Sequence, residues 1–352
     1  MQYRQLGRSG LMVSTFTLGT MTFGATGDLA YTGNTDVEGA RRQIDIAMDA
    51  GVNMIDTANY YSQGRSEEIV GKAIAGKRDD VLLSTKVRFP MGKGPNAGGL
   101  TRHHILQQID ESLRRLGTDH VDIYHVHEWD GLTPLEETLE TLDGLVRAGK
   151  VRYLGVSNYA GWELMKALSI SDAHRWQRFV SNQIYYTLES RDAEYDLVPV
   201  SLDQGLGLMV WSPLAGGLLS GKYRRGQQAT EGRHLSAWSE PPVRDPEKLY
   251  DTIEVLVRIA EQHDVSAAQV ALAYLLAKPG VTTLVIGARK DEQLIDNLRA
   301  ADMQLSTEEI DELDEVSAPP LIYPFWHQLA NAGDRLGYAE SALFGPKRPT
   351  RR

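Results

Sequence analysis

The sequence predicts an α/β protein, a (β/α)8 barrel of the TIM type, and three observations carry that prediction. Short apolar runs rich in β-branched residues alternate with helix-length amphipathic runs, which implies parallel strands joined by crossover helices. The alternation makes eight units, the number that closes such a barrel. Polar side chains, Asp56, Lys86 and His127 among them, stand at the ends of successive apolar runs, where a parallel barrel gathers its chemistry. An open doubly wound sheet would want a Gly-rich fingerprint after its first strand, and Leu18-Gly-Thr-Met-Thr-Phe-Gly24 lacks one.

Residues 3–6 and 11–14, around Gly7 and Ser9-Gly10, suggest a hairpin that caps the barrel floor. The first unit is strand 17–19 with helix 35–50. The second is strand 53–56 with helix 66–74, where Ser66 is the expected N-cap and Glu67 and Glu68 put acids in the first turn. Strand 81–86 leads to helix 101–116, ended by Gly117, and strand 121–127 to helix 132–148, ended by Gly149. Strand 151–156 leads to helix 160–171, and strand 179–183 to a weaker helix within 194–203. Strand 206–211 precedes a long loop, 212–245, rich in Gly, Arg and Pro, and then helix 246–263. A loop of that length inside a compact domain is usually functional. Strand 281–286 with helix 291–299 is the last unit. Two additions break the rhythm: an amphipathic helix at 266–277, and a helix at 306–316 whose Ser306 and Glu309 form a capping box.

The expected barrel domain is residues 1–318, with a tail, 319–352, packed on or near it; barrels of this length fold as one domain. The 42% hydrophobic fraction of the 352 residues suits a globular core. A net charge of −10 with no basic block argues against nucleic acid and anionic membrane as partners. There is no cysteine, hence no disulfide frame and no thiolate chemistry. No apolar run reaches the roughly 20 residues that span a bilayer, and the first residues lack an apolar signal core, so a cytoplasmic protein is expected. An oligomer is left open. The tail aromatics Tyr323, Phe325 and Trp326 have three readings: a cover for a pocket, packing on the wall, or an oligomer contact.

Four residues sharpen the reading. Asp56 and Tyr61 sit in Ile55-Asp-Thr-Ala-Asn-Tyr-Tyr61, Lys86 closes Val81-Leu-Leu-Ser-Thr-Lys86, and His127 closes Val121-Asp-Ile-Tyr-His-Val-His127. In this order they resemble the tetrad of the aldo-keto reductases, and the resemblance runs from about Tyr3 to about Ser317. The branch it resembles holds bacterial aldo-keto reductases and potassium-channel β subunits. Carbonyl reduction needs a hydride on carbon and a proton on oxygen, where negative charge builds in the transition state. Tyr61 would be the acid. Its phenol, ordinarily near pKa 10, would be lowered by the adjacent Lys86 cation, with Asp56 fixing the lysine. His127 would orient the substrate oxygen.

Taken singly, each residue has a plainer role: Asp56 could cap a turn, and a strand-end Tyr, Lys or His is more often structural. His125, two residues before His127, points to the same side of its strand. The family pattern assigns the catalytic role to His127, leaving His125 as a core histidine. No third ligand with a telling spacing accompanies the two, so no metal is expected.

There is no dinucleotide Gly fingerprint and no P-loop. The resemblance nonetheless implies extended NADPH (or NADP+) across the barrel mouth. Ser157, Asn158 and Gln183 would hold the nicotinamide carboxamide, and Trp211 would stack on that ring. Ser212, Pro213, Leu214, Ala215, Gly216 and Lys222 would line the pyrophosphate, with Arg233 from the long loop as a weaker match. Arg289 would meet the 2′-phosphate, Gln293 the adjacent ribose phosphate, and Asp296 and Asn297 the adenine. Gly19, Thr20, Met21 and Asp56 complete that set. Independently of the resemblance, Gly287 ahead of a helix start lets backbone N–H groups approach an anion, and Arg289 offers a planar fork for phosphate. Trp211 also reads as a barrel-plug aromatic, and Arg289 and Lys222 as solvated charges.

Substrate choice is expected at the same mouth, from Phe23, Tyr31, Tyr60, Arg88, Phe89 and Trp129, a wall that suits an aromatic or sugar-like small-molecule carbonyl. Three functions follow: an NADP-dependent aldo-keto reductase making an alcohol from an aldehyde or ketone; a cofactor-binding regulatory subunit similar to the potassium-channel β subunits; or a barrel isomerase or lyase using Lys86 as a Schiff base.

Overall fold

A computed structural model describes residues 1–25, 32–227, 232–235 and 240–344, without the side chain of Arg233. The hairpin strands are β1 (Tyr3–Gln5) and β2 (Met12–Ser14), paired antiparallel. The barrel strands are β3 (Phe16–Gly19), β4 (Met54–Asp56), β5 (Leu82–Val87), β6 (Val121–Val126), β7 (Val151–Ser157), β8 (Phe179–Tyr185), β9 (Gly207–Trp211) and β10 (Val281–Ile286). They close in the order β10-β3-β4-β5-β6-β7-β8-β9, and neighbours are parallel throughout. The closed order excludes the open doubly wound sheet. Around it run α1 (Val37–Asp49), α2 (Arg65–Ala73), α3 (Arg102–Leu116), α4 (Leu135–Arg147), α5 (Gly161–His174), α6 (Leu197–Gln204), α7 (Pro246–His263), α8 (Ala267–Ala277), α9 (Asp291–Arg299) and α10 (Thr307–Val316).

Local chemistry sets the helix ends. The Thr101 side chain accepts from the His104 N–H and Gly117 ends α3 in the left-handed conformation. Ser306 and Glu309 form the expected capping box on α10. Two expectations fail. Helix α4 starts at Leu135 rather than 132, because the residue before a proline is pushed out of the helical region and Pro134 itself stands at the N-cap in an extended conformation. Ser66 is not an N-cap: α2 starts one residue earlier, after Gly64 at φ 91°. Ser66 is instead fully buried, donating to the Thr20 carbonyl at 2.8 Å and standing 3.2 Å from the Thr57 hydroxyl. It ties α2 to the chain leaving β3 and β4.

The barrel interior has an apolar floor. Leu6 and Val13 of the hairpin are fully buried with Met54, Ile123 and Met209. Gly7, at φ 59°, permits this closure, since a Cβ there would lie 2.5 Å from the Val180 carbonyl. Higher in the barrel the filling turns polar, with Thr17 paired to Thr283 at 2.8 Å and Ser84, His125 and Ser181 buried. A second apolar layer lies between the outer strand faces and the helices.

Buried charges fasten α10 to the loop after β8. Arg191 pairs with Glu194 and with Asp314, and Lys278 pairs with Asp314 at 2.7 Å. Ions this deep persist only when paired. The tail forms α11 (Phe325–Ala332) and α12 (Ser341–Phe344), neither foreseen from the sequence. Phe344 is fully buried and Phe325 stacks on Tyr195 at 5.2 Å, whereas Tyr323 and Trp326 are exposed. Among the described residues, no helix is long and apolar enough to cross a membrane.

Candidate active site

The expected tetrad converges at the C-terminal mouth from three adjacent strands. Asp56 ends β4, Tyr61 follows in a short 3-10 turn (Tyr61–Gly64), Lys86 lies near the end of β5, and His127 is the residue after β6. The register sets Asp56 beside Ser84, and Lys86 beside His125. Lys86 is fully buried. Its ammonium contacts Asp56 Oδ2, donates to the Thr57 carbonyl at 2.8 Å, and reaches the Tyr61 hydroxyl at 3.3 Å. Asp56 Oδ1 accepts from Ser84 Oγ at 2.9 Å and from Gln183 Nε2 at 3.1 Å.

Protonation follows from this packing. Burial works against the charged Lys86, but Asp56 and Tyr61 win and raise its pKa above the ordinary lysine value. For Tyr61, burial pushes the phenol up, Lys86 pulls it down and Asp56 pushes it up again, leaving it above its ordinary value. The expected pull from Lys86 is present and burial outweighs it. A phenol held protonated is the form a proton donor needs. Burial, assisted by Lys86, His125 and Arg88, holds His127 well below its ordinary pKa, hence neutral. Its buried Nδ1 has no hydrogen-bond partner among the described residues. His125 lies deeper, between Ser84 and Ser181, and burial drives its pKa to about 3.

A cleft of about 830 Å³ opens over these residues and runs from Tyr60, Phe89 and His127 to Arg289, Gln293 and Asn297. It is lined by most of the residues expected to hold a cofactor: Gly19, Thr20, Met21, Asp56, Ser157, Asn158, Gln183, Trp211, Ser212, Pro213, Leu214, Gly216, Lys222, Gly287, Arg289, Gln293, Asp296 and Asn297. Ala215 is a correction: at φ 52° its methyl turns into the core and is fully buried. The side chain of Arg233 lies outside the described residues.

Three features of this lining suit an extended anionic dinucleotide. No carboxylate among the described residues pairs with Lys222 or Arg289, so two cations face the cleft free. Ser212 and Ala215 have positive φ beside Gly216 and Gly217, and such non-glycine strain is of the kind found at ligand clamps. Gln183 gives its amide N–H to Asp56, which leaves its carbonyl to accept from a ligand amide. The same stretch also departs from expectation: its N–H groups are partly spent internally, Ala215 on the Ser212 carbonyl and Gly216 on Ser212 Oγ.

Asn158, at φ 57°, is a tie the sequence did not show. Its Nδ2 donates to the His127 carbonyl at 3.0 Å and its Oδ1 accepts from Trp211 Nε1 at 3.1 Å. Trp211 is therefore tied in place at the cleft, partly buried beside Tyr185, and not plugged into the barrel. Asp296 accepts from Ser266 and Gln269, so its carboxylate is already fixed by α8.

The substrate wall is only partly as expected. Tyr60 and Phe89 line the cleft, and Phe89 meets the His127 ring edge at 4.8 Å. Phe23 does not: it is fully buried in the outer core, where a bridge to Thr35 turns the chain inward. Arg88 spends its Nε on the Trp129 carbonyl, and the Trp129 ring packs on Tyr159 and Trp162, so neither lines the cleft. Tyr31 falls outside the described residues. The cleft adds Glu128, next to His127, and Tyr223 and Glu240, which no strand-end pattern could flag because they lie in the long loop.

Comparison with known proteins agrees with this geometry. The family model described as "Aldo/keto reductase family" matches residues 15–318. The chain is 38% identical to "Uncharacterized oxidoreductase YrpG" of Bacillus subtilis over 331 residues, covering 91% of this chain and 97% of that protein. It is 36% identical to "Probable voltage-gated potassium channel subunit beta" of Oryza sativa subsp. japonica, covering 90% and 96%. It is 33% identical to "Versiconal hemiacetal acetate reductase" of Aspergillus parasiticus, covering 92% and 99%.

Proposed function

This chain belongs to the aldo/keto reductase family, an oxidoreductase family that generally uses NAD(P)H, and we propose that it reduces an aldehyde or ketone to an alcohol with NADPH. The observation that carries the reading is the buried contact of Lys86 with both Asp56 and the Tyr61 hydroxyl at the cleft. The dinucleotide, when bound, supplies the hydride. Ser157, Asn158 and Gln183 hold its nicotinamide end, Trp211 faces the ring, and Lys222 and Arg289 meet its phosphates.

Tyr61 then gives its phenolic proton to the substrate oxygen, and Lys86 offsets the charge left on Tyr61. Neutral His127 hydrogen-bonds the same oxygen and sets the carbonyl's orientation. Phe89 and Tyr60 form the apolar wall, and Tyr61 and His127 the polar end, which suits an aromatic or sugar-like carbonyl. The barrel, residues 1–318, is the catalytic domain, with the tail an appended segment. A protein working in the cytoplasm fits the absence of cysteine. The Schiff-base alternative loses its nucleophile, because a lysine with a raised pKa, pinned to a carboxylate, is not free to attack a carbonyl.

NADPH oxidation across aldehydes, ketones and sugar carbonyls tests the reading, with fluorescence quenching for cofactor binding. Tight NADPH binding and turnover of one carbonyl class are expected; no quenching at millimolar NADPH would sink it. The relatives named as potassium-channel β subunits favour one second reading, a cofactor-binding regulatory subunit. Cofactor binding without turnover, together with co-purification of a membrane channel, would replace the first reading with it.

A further inference from the structure

His125 is fully buried, two residues before His127, and takes no part in the chemistry described above. Its surroundings assign its hydrogen. Asp56 Oδ1 can only accept, so the 2.9 Å contact from Ser84 uses the one hydroxyl hydrogen Ser84 has. Ser84 Oγ also lies 3.0 Å from His125 Nδ1, and with its hydrogen spent it must accept there. Nδ1 therefore carries a hydrogen. The ring is neutral at ordinary pH, so Nε2 is bare and accepts from Ser181 Oγ at 3.0 Å. The result is a directed chain from Ser181 through His125 and Ser84 to Asp56, and Asp56 holds Lys86 against Tyr61.

The seat for this ring is built into the barrel. His125 on β6 is in register with Gly155 on β7, and Gly155 with Ser181 on β8. A Cβ at Gly155 would stand 2.2 Å from His125 Cδ2 and 2.6 Å from Ser181 Oγ. The missing methyl on β7 is what lets β6 and β8 meet through the imidazole. Ser181 and Gln183 lie on one face of β8, so the same strand also gives Asp56 Oδ1 its second donor, Gln183.

We propose that His125 is a positioning residue: its Nδ1–H fixes the Ser84 hydroxyl onto Asp56 Oδ1, which leaves Asp56 Oδ2 to hold Lys86 beneath the Tyr61 hydroxyl. The opposite tautomer would present a bare nitrogen that competes with Asp56 for the Ser84 hydrogen. Without that hydrogen bond Asp56 attracts Lys86 more strongly, Lys86 pulls less on Tyr61, and the phenol pKa rises. The charged and titratable groups facing Tyr61 and His125 are Asp56, Lys86 and His127, with Arg88 acting on His127. The inference rests on the reading of Tyr61 as proton donor, but its first test does not.

In the full-length protein with 15N-labelled histidine, the His125 signal, assigned by its loss in His125→Asn, should show a protonated Nδ1 and a bare Nε2. A protonated Nε2 overturns the proposal. Tyrosinate absorbance, read as wild type minus Tyr61→Phe, should show the Tyr61 titration moving up in Ser84→Ala and in His125→Leu, and staying in place in His125→Asn, whose amide N–H replaces Nδ1–H. An unmoved titration in Ser84→Ala overturns the proposal even if His125→Leu does not fold. With any reduced carbonyl, Ser84→Ala should lose about tenfold in kcat with KM unchanged, the scale of one hydrogen bond. Ser84→Ala/His125→Leu should lose no more than either alone; additive losses count against a shared chain. If no carbonyl is reduced, the functional reading falls while the tautomer and the titration still decide this one.

Discussion

Lys86 Nζ stands 3.3 Å from the Tyr61 hydroxyl and 5.0 Å from the centre of the same ring. The ammonium therefore acts on the phenol from its hydroxyl end, where it stabilises phenolate as the proton leaves. That placement ties the fate of the two residues together in the predictions below.

Tyr61→Phe keeps the ring and removes the proton. A loss in kcat of at least ~10²-fold is expected, the usual scale for a general acid, with NADPH affinity nearly unchanged. Wild-type turnover in single-turnover and steady-state assays would remove Tyr61 from the role.

Lys86→Met should be at least as severe, and the pH profile of any residual activity should shift upward as the phenol loses its cation. It also leaves the Asp56 carboxylate buried and unpaired, a loss of roughly 3–5 kcal/mol on the scale of broken buried pairs. Urea unfolding measures the second effect separately. An active variant with an unshifted profile would refute the coupling.

His127→Ala should impair turnover more than His125→Ala, because His127 lines the cleft and His125 lies a layer below it. If His125→Ala proves the more damaging to kcat, the two histidines exchange roles.

Arg289→Ala should weaken NADPH much more than NADH. A charge-assisted contact to the 2′-phosphate is worth roughly 1.5–3 kcal/mol, about tenfold to over a hundredfold in affinity. Equal weakening of both cofactors, measured by fluorescence quenching, would mean that Arg289 stacks on adenine. No weakening of either would make it a solvated charge.

Stability should fall on acidification below pH ~6.5. His125 and His127 have folded pKa values depressed below the unfolded one, His125 to about 3, so the unfolded chain binds more protons in this window. Each contributes a loss of up to about 1.4 kcal/mol per pH unit. His125→Asn should flatten the slope of unfolding free energy between pH 6.5 and 5. An unchanged slope would mean that His125 is charged in the folded state or water-exposed.

The barrel, its eight-unit rhythm and the tetrad were legible in the sequence because each depends on local order along the chain. Alternating apolar runs report strands and helices, and a polar residue at a strand end reports the mouth. Phe23 and Trp129 were misplaced for the opposite reason: an aromatic near a strand end can turn to the cleft or to the outer core, and only packing chooses. Ser66 looked like a cap from its neighbours alone, but its hydroxyl answers to Thr20, distant in sequence.

By itself the sequence determined which residue types arrive at the barrel mouth, and in what order, because strand period and crossover connection leave little freedom. The tertiary structure alone decided which protons they share. The hydrogen on His125 Nδ1, the tie of Asn158 to both His127 and Trp211, and the contest between burial and Lys86 at Tyr61 join residues far apart in the chain. Hydrogen bonding and desolvation depend on distances of a few ångströms between strands, and no spacing along a sequence encodes those.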